Sequence, residues 1–126
     1  PRGVRGRHGR RPEDISVAEV HDATAMGEIV QIENLGFCDF GDGGATSAGG
    51  ETALGGRIPV NPSGGLECKG HPIGATGLCQ IQELVTQLRG EAGDRQVEGA
   101  RIGLAENGGG LYGIEESVAS VIILGG

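Results

Sequence analysis

Apolar residues along this chain fall into short runs whose spacing alternates between that of a strand and that of a helix. Ile15, Val17 and, after a slip, Val20 suit a short strand over residues 15–20, entered from a turn at Pro12-Glu13-Asp14. Asp22 or Thr24 can cap a following helix in which Met26, Ile29, Val30 and Leu35 share one face, and Gly36 stands at its C-terminal stop. Residues 38–56, rich in Gly, Asp, Ser and Thr, predict a long loop, and a loop of that length inside a compact domain usually carries function or moves. Ile58-Pro59-Val60-Asn61 predicts a short extended piece, and Pro62-Ser63-Gly64-Gly65 a turn.

From Thr76 the period is helical. Leu78, Ile81, Val85 and Leu88 form a stripe widened by Leu84, with Gln80, Gln82, Glu83, Gln87 and Arg89 mainly on the other side and Gly90 at the end. The stripe is therefore expected to be the buried face. Arg101–Ala105 predicts a strand, and the run Val118–Leu124 is apolar at nearly every position. A strand that does not alternate is expected to be covered on both faces, as in a sheet between helix layers. Strands interleaved with helices in this order predict an α/β fold.

Composition narrows the class. With 126 residues the chain holds one domain, and its 27 glycines cluster at turns rather than repeating with a collagen-like period. One Tyr, two Phe and no Trp leave the core to Ile, Val, Leu and Ala. The net charge of −7 is uneven. Arg2, Arg5, Arg7, Arg10 and Arg11 make residues 1–14 a basic Gly/Arg-rich arm ahead of a domain over 15–126. From Pro12 onward the other five basic residues stand against all 17 acidic ones, a net of about −12. The arm has no aromatic residue for stacking and the body is acidic, so nucleic acid is not the expected partner. Three cysteines without CxxC spacing indicate neither a disulfide framework nor a zinc site. No apolar run approaches the ~20 residues of a membrane span and no signal peptide is visible, so a reduced, cytoplasmic setting is expected. The absence of a starting Met suggests a piece of a larger protein.

The chemistry concentrates in Asn61-Pro62-Ser63-Gly64-Gly65-Leu66-Glu67-Cys68-Lys69-Gly70-His71-Pro72-Ile73-Gly74-Ala75-Thr76-Gly77. This stretch puts one imidazole in a glycine-rich loop just ahead of a helix, whose free N–H groups and positive end favour the uncharged ring. Such a ring can donate a hydrogen bond to a developing oxyanion and still exchange protons near neutral pH. Gly70 and Gly74 let a substrate carbonyl come close to the backbone. The spacing Gly70-x-x-x-Gly74-x-x-Gly77 lacks the Gly-Lys-Ser/Thr end of a phosphate-binding loop.

The same stretch closely resembles the histidine loop of the thiolase family, particularly the sterol-carrier-protein type and related archaeal and bacterial forms. Ala18-Glu19-Val20-His21-Asp22-Ala23 is similar to the segment where those forms carry His-Asp and biosynthetic thiolases Asn-Glu. Leu104-Ala105-Glu106-Asn107-Gly108-Gly109-Gly110 resembles the family's C-terminal glycine-rich turn. Three motifs in family order span about 110 residues. The resemblance implies the C-terminal part of a layered α/β/α domain with a mixed sheet, acting on acyl-CoA by Claisen condensation or thiolytic cleavage of 3-ketoacyl-CoA.

Carried over by position, the resemblance implies that His71 helps to build the oxyanion hole for the thioester whose α-carbon reacts. His21 would hold a catalytic water in that hole, and Gly108 would offer a backbone N–H to a second hole serving the acyl-enzyme. Asn61, Ser63, Gly64, Gly70, Pro72 and Gly109 are implied in substrate binding. No cofactor is implied beyond coenzyme A thioesters as substrates. Two departures stand out. Nothing matches the surroundings of the family's nucleophilic Cys, which implies an N-terminal half as partner and an isolated chain without turnover. Glu106 stands where many thiolases place an acid/base Cys, which leaves retro-aldol cleavage of a CoA thioester open as a second reaction. A homo-oligomer is expected. The alternative from another class is a non-catalytic thiolase-like subunit that binds a partner, acyl-CoA or lipid.

Overall fold

A computed structural model describes residues 9–113 and 115–126; Arg2, Arg5 and Arg7 of the basic arm lie outside them. A three-residue 3-10 turn, Pro12–Asp14, leads into β1 (Val17–Glu19). Four helices follow: α1 (Ala25–Asn34), α2 (Gly43–Ala48), α3 (Gly65–Lys69) and α4 (Thr76–Leu88). Two long strands, β2 (Ile102–Tyr112) and β3 (Glu115–Gly125), close the chain. The sheet order is β1-β2-β3, with β1 parallel and β3 antiparallel to β2, so the sheet is mixed. The extended piece at 58–61 adds one parallel bridge, Ala18 to Val60, on the outer edge of β1.

β1 is short, but both its faces are covered, as its unbroken burial requires. Ala18 and Val20 point into a core with Ile32, Leu35, Phe37, Ile58 and Leu104. Val17 points the other way, toward Leu84, Val97 and Ala105. Helices therefore lie on both sides of the sheet, in the expected α/β/α arrangement. Gly103 marks the closest approach of α4 to β2, since a Cβ there would sit 3.1 Å from the Leu84 side chain.

Several local expectations need correction. Thr24, not Asp22, caps α1 by accepting the Gly27 N–H at 3.0 Å, and Ile32 rather than Met26 or Val30 is the residue that α1 buries. The supposed loop at 38–56 contains α2, and α3 follows directly on the turn at 62–65. Both are short and start at glycine, so no apolar period announces them. The run Glu106–Gly110 is not a turn but the middle of β2, paired with β3 from Val121 to Val118 and beyond. β3 is not covered on both faces. Ile123 and Leu124 each pack on one core, while Val118 is 67% exposed and Val121 and Ile122 are open too.

α4 departs most. Leu84 is fully buried, but Leu78 is 71% exposed, and Gln80, Glu83 and Gln87 face inward beside it. Each of these three side chains meets a partner on the segments the helix covers. Gln80 Nε2 donates to the Glu106 carbonyl at 2.7 Å, and Gln87 Nε2 to the Arg95 carbonyl at 2.8 Å. Gln87 Oε1 accepts from Val97 N–H at 2.8 Å, and the Glu83 carboxylate holds the Arg95 guanidinium at 2.9 Å. Buried polar groups with partners cost little, so the period of apolar residues alone misplaced the face. Leu84→Ala is accordingly expected to lower unfolding free energy by about 2–5 kcal/mol. Leu78→Ala is expected to change it by no more than about 0.5 kcal/mol, with both read from urea unfolding.

Candidate functional site

β1 hands the chain to His21 at the carboxyl end of the parallel pair, and α4 begins at the same end of the sheet. Ligands of open α/β sheets bind outside the carboxyl ends of parallel strands. Here that place is an open cleft of about 960 Å³, walled by His21, His71, Ile73, Gly74, Gly77, Leu78, Asn107, Gly108 and Gly109 among others. The His21 and His71 rings meet at a centroid distance of 4.9 Å, tilted by 53°. Thus two of the three motifs supply adjacent imidazoles and the third supplies the facing strand.

The loop that carries His71 contributes Leu66 to the buried set and little other apolar surface, so polar bonds from β1 and its exit hold it. Asn61 Oδ1 accepts from Val20 N–H at 2.8 Å, and its Nδ2 donates to Glu28 at 2.8 Å. The carboxylate of Glu19 accepts from Ser63 N–H at 3.1 Å and from the Ser63 hydroxyl at 2.6 Å. Lys69 Nζ donates to Ser63 Oγ at 2.6 Å and lies 3.4 Å from Glu19. Asp22 Oδ1 takes the Leu66 N–H at 2.7 Å at the start of α3. Gly65, at φ +61, sits so close that any Cβ would run into the Asp22 carboxylate. Asn61 and Ser63 are therefore braces outside the cleft wall, and Gly64, Gly70 and Pro72 also lie outside it, whereas Gly109 lines it. Sequence reasoning missed Glu19 and Asp22 as anchors. The place of Glu19 on a strand otherwise made of buried apolar residues, and of Asp22 just past its end, was the available signal.

Burial pushes the Glu19 carboxyl above its ordinary value of 4.5, against the opposing Ser63 bonds and Lys69 charge. Burial does the same for Glu28, opposed by Asn61 and aided by the charges of Asp22 and Glu67. Glu106 is 2% exposed and leaves β2 on the face opposite Asn107, and its Oε2 accepts from His21 N–H at 3.0 Å. The strand geometry also orients Gly108. Ile102 O accepts from Ser16 N–H, and Glu106 O from Gln80, so these residues direct their backbone groups away from β3. The two-residue repeat sends the Gly108 N–H the same way, past the end of β1 and toward the cleft.

None of the three cysteines lines the cleft. Cys38 is half-buried and burial pushes its thiol up, opposite to what a nucleophile needs. Among the described residues there is no cluster of His, Cys, Asp and Glu suited to a metal ion, and no helix long and apolar enough to cross a membrane.

The fold agrees with comparison to known proteins. The family model for the thiolase C-terminal domain-like fold matches residues 6–125, and the chain belongs to that family. It is 55% identical over 102 residues to an acetyl-CoA acetyltransferase of Methanothermobacter thermautotrophicus, covering 81% of this chain and 27% of that protein. It is 54% identical over 99 residues to sterol carrier protein 2 of Oryctolagus cuniculus, covering 79% of this chain and 18% of that one. The chain thus spans about a quarter or less of these relatives. A solved structure of an Ltp2-ChsH2(DUF35) aldolase superposes with a TM-score of 0.74 at 30% identity, over 93% of this chain and 28% of its own.

The Glu19 brace should be visible in the pH dependence of stability. Between 4.5 and its higher folded value, the native state binds more protons at Glu19 than the unfolded state, so stability falls as pH rises through that window. Glu19→Gln lacks this titration. Urea midpoints measured from pH 4 to 8 should therefore show wild type losing stability relative to Glu19→Gln as pH rises. A constant difference would refute the assignment.

Proposed function

We propose that the chain is the C-terminal part of an acyl-CoA C-acyltransferase, which condenses acyl-CoA units or cleaves 3-ketoacyl-CoA with coenzyme A. The observation that carries this reading is the pairing of His21 and His71 on one cleft wall, 4.9 Å apart and opposite the glycine run of β2. An exposed imidazole and a buried one together suit a thioester oxygen that gains negative charge as the α-carbon is deprotonated. His71 supplies a ring N–H to that oxygen, and His21 holds the water that completes the hole. Gly108 turns a backbone N–H to the same cleft and suits a second oxyanion, that of the acyl-enzyme carbonyl. Preorganised donors of this kind each contribute a few kcal/mol to transition-state stabilisation. The nucleophilic Cys belongs to an N-terminal half in this reading, and acyl-CoA is the ligand.

Glu106 takes the position of the acid/base Cys in this reading, with its carboxylate accepting from the His21 N–H. A carboxylate there shuttles the α-proton only if it reaches the reacting carbon past the strand, so its role separates the reactions. Retro-aldol cleavage of a CoA thioester is the second reading, favoured by this replacement and by the likeness to the aldolase structure.

In the full-length protein, assayed with acetoacetyl-CoA and coenzyme A, His71→Ala should lower kcat by roughly 10²–10³, as for loss of one oxyanion donor. A loss below about threefold makes His71 structural and removes the basis of the proposal. In the same assay, Glu106→Gln should lose most activity and Glu106→Cys should keep measurable turnover. If Glu106→Gln retains full activity with an unchanged pH profile, Glu106 transfers no proton and serves only to brace His21.

A further inference from the structure

Thr76 is 3% exposed at the first turn of α4, and its hydroxyl stands 2.7 Å from His71 Nδ1. Its second neighbour is the Pro72 carbonyl oxygen at 3.3 Å. One hydroxyl proton cannot serve both. If it goes to Pro72 O, Thr76 accepts from a proton on Nδ1, and the uncharged ring offers only a lone pair at Nε2. If it goes to Nδ1, the proton of the ring sits on Nε2 and can be donated.

The surroundings of Pro72 O decide between the two. That oxygen already accepts from Ala75 N–H at 2.8 Å and from Thr76 N–H at 3.1 Å, which occupy its two lone pairs. A third donor at 3.3 Å adds little, whereas the 2.7 Å contact to Nδ1 is at the short end of the hydrogen-bond range. We infer that Thr76 is a positioning residue that donates to His71 Nδ1 and so holds the uncharged ring in its Nε2–H form, with the proton available to a ligand oxygen. The turn itself enforces this, because the backbone N–H groups that start α4 saturate the competing acceptor. His71 is exposed at the cleft with the His21 ring on one side, and the Thr76 bond fixes the orientation of its Nδ1 edge.

This assignment rests on the proposed role of His71 as an oxyanion donor for its consequence in catalysis, but not for the tautomer. Both are tested in the full-length protein labelled with ¹⁵N in the histidine rings, with the His71 signals assigned by their loss in His71→Asn. At a pH where the ring is uncharged, wild type should show His71 protonated at Nε2. Thr76→Val, which keeps the shape and removes the hydroxyl, should shift the two ring signals toward a tautomer mixture. It should also lower kcat by about 10- to 100-fold with KM changed less than about threefold, the size of effect typical when a partner that orients an imidazole is lost. Thr76→Ser should restore both signals and rate. A wild-type ring protonated at Nδ1 overturns the inference, as does a Thr76→Val protein with unchanged ring signals or with kcat within twofold of wild type. If Thr76→Val does not fold, the wild-type tautomer and the Thr76→Ser rate still decide. A His71→Ala protein with nearly full activity sinks the oxyanion reading alone, and leaves the tautomer assignment standing.

Discussion

The site depends on a set of buried polar bonds that run from β1 and its exit to the histidine loop. Residues 61–71 bury little apolar surface, so hydrophobic burial alone does not place His71. Glu19, Val20 and Asp22 do so by gripping Ser63, Asn61 and Leu66 in turn. Removing one buried partner of such a bond strands the other. The grip therefore fails if any partner is lost. It also explains why β1, only three residues long, is buried throughout. The strand that carries the anchors must itself be fixed on both faces by the two cores.

The same logic extends across the sheet. α4 covers the sheet with a face that is largely amide and carboxyl, and Gln80, Glu83 and Gln87 each bind the backbone or a charge beneath it. Such bonds have direction, whereas apolar contacts tolerate sliding. Gln80, by holding the Glu106 carbonyl, ties the register of the helix to that of β2. Because His71 leans on Thr76 at the start of α4 and Gly108 lies two residues beyond Glu106, this one contact links both walls of the cleft. Precision at the cleft thus comes from polar bonding in the layer around it, and the apolar cores supply the stability that lets it persist.

The outer half of the hairpin is different in kind. Val118, Val121, Ile122 and Tyr112 stand exposed on the long strands. The chain aligns with only about a quarter of the archaeal acetyltransferase and of the aldolase structure.

The sequence by itself determined the α/β class, the first strand and helix, the long helix that follows His71 and the family to which the motifs belong. These rest on local information: strand and helix periods, glycines at helix ends, and a dense pattern of residues within a single loop. Only the tertiary structure decided which face of α4 is inward, that the glycine run after Glu106 is strand rather than turn, and that Asn61 and Ser63 brace the loop rather than line the cleft. It also brought His21 beside His71 across 50 positions of chain and placed the hydroxyl of Thr76 against His71 Nδ1. The physical reason is the same in each case. Whether a polar side chain is buried depends on a partner distant in the sequence, and a period of apolar residues carries no record of where that partner lies.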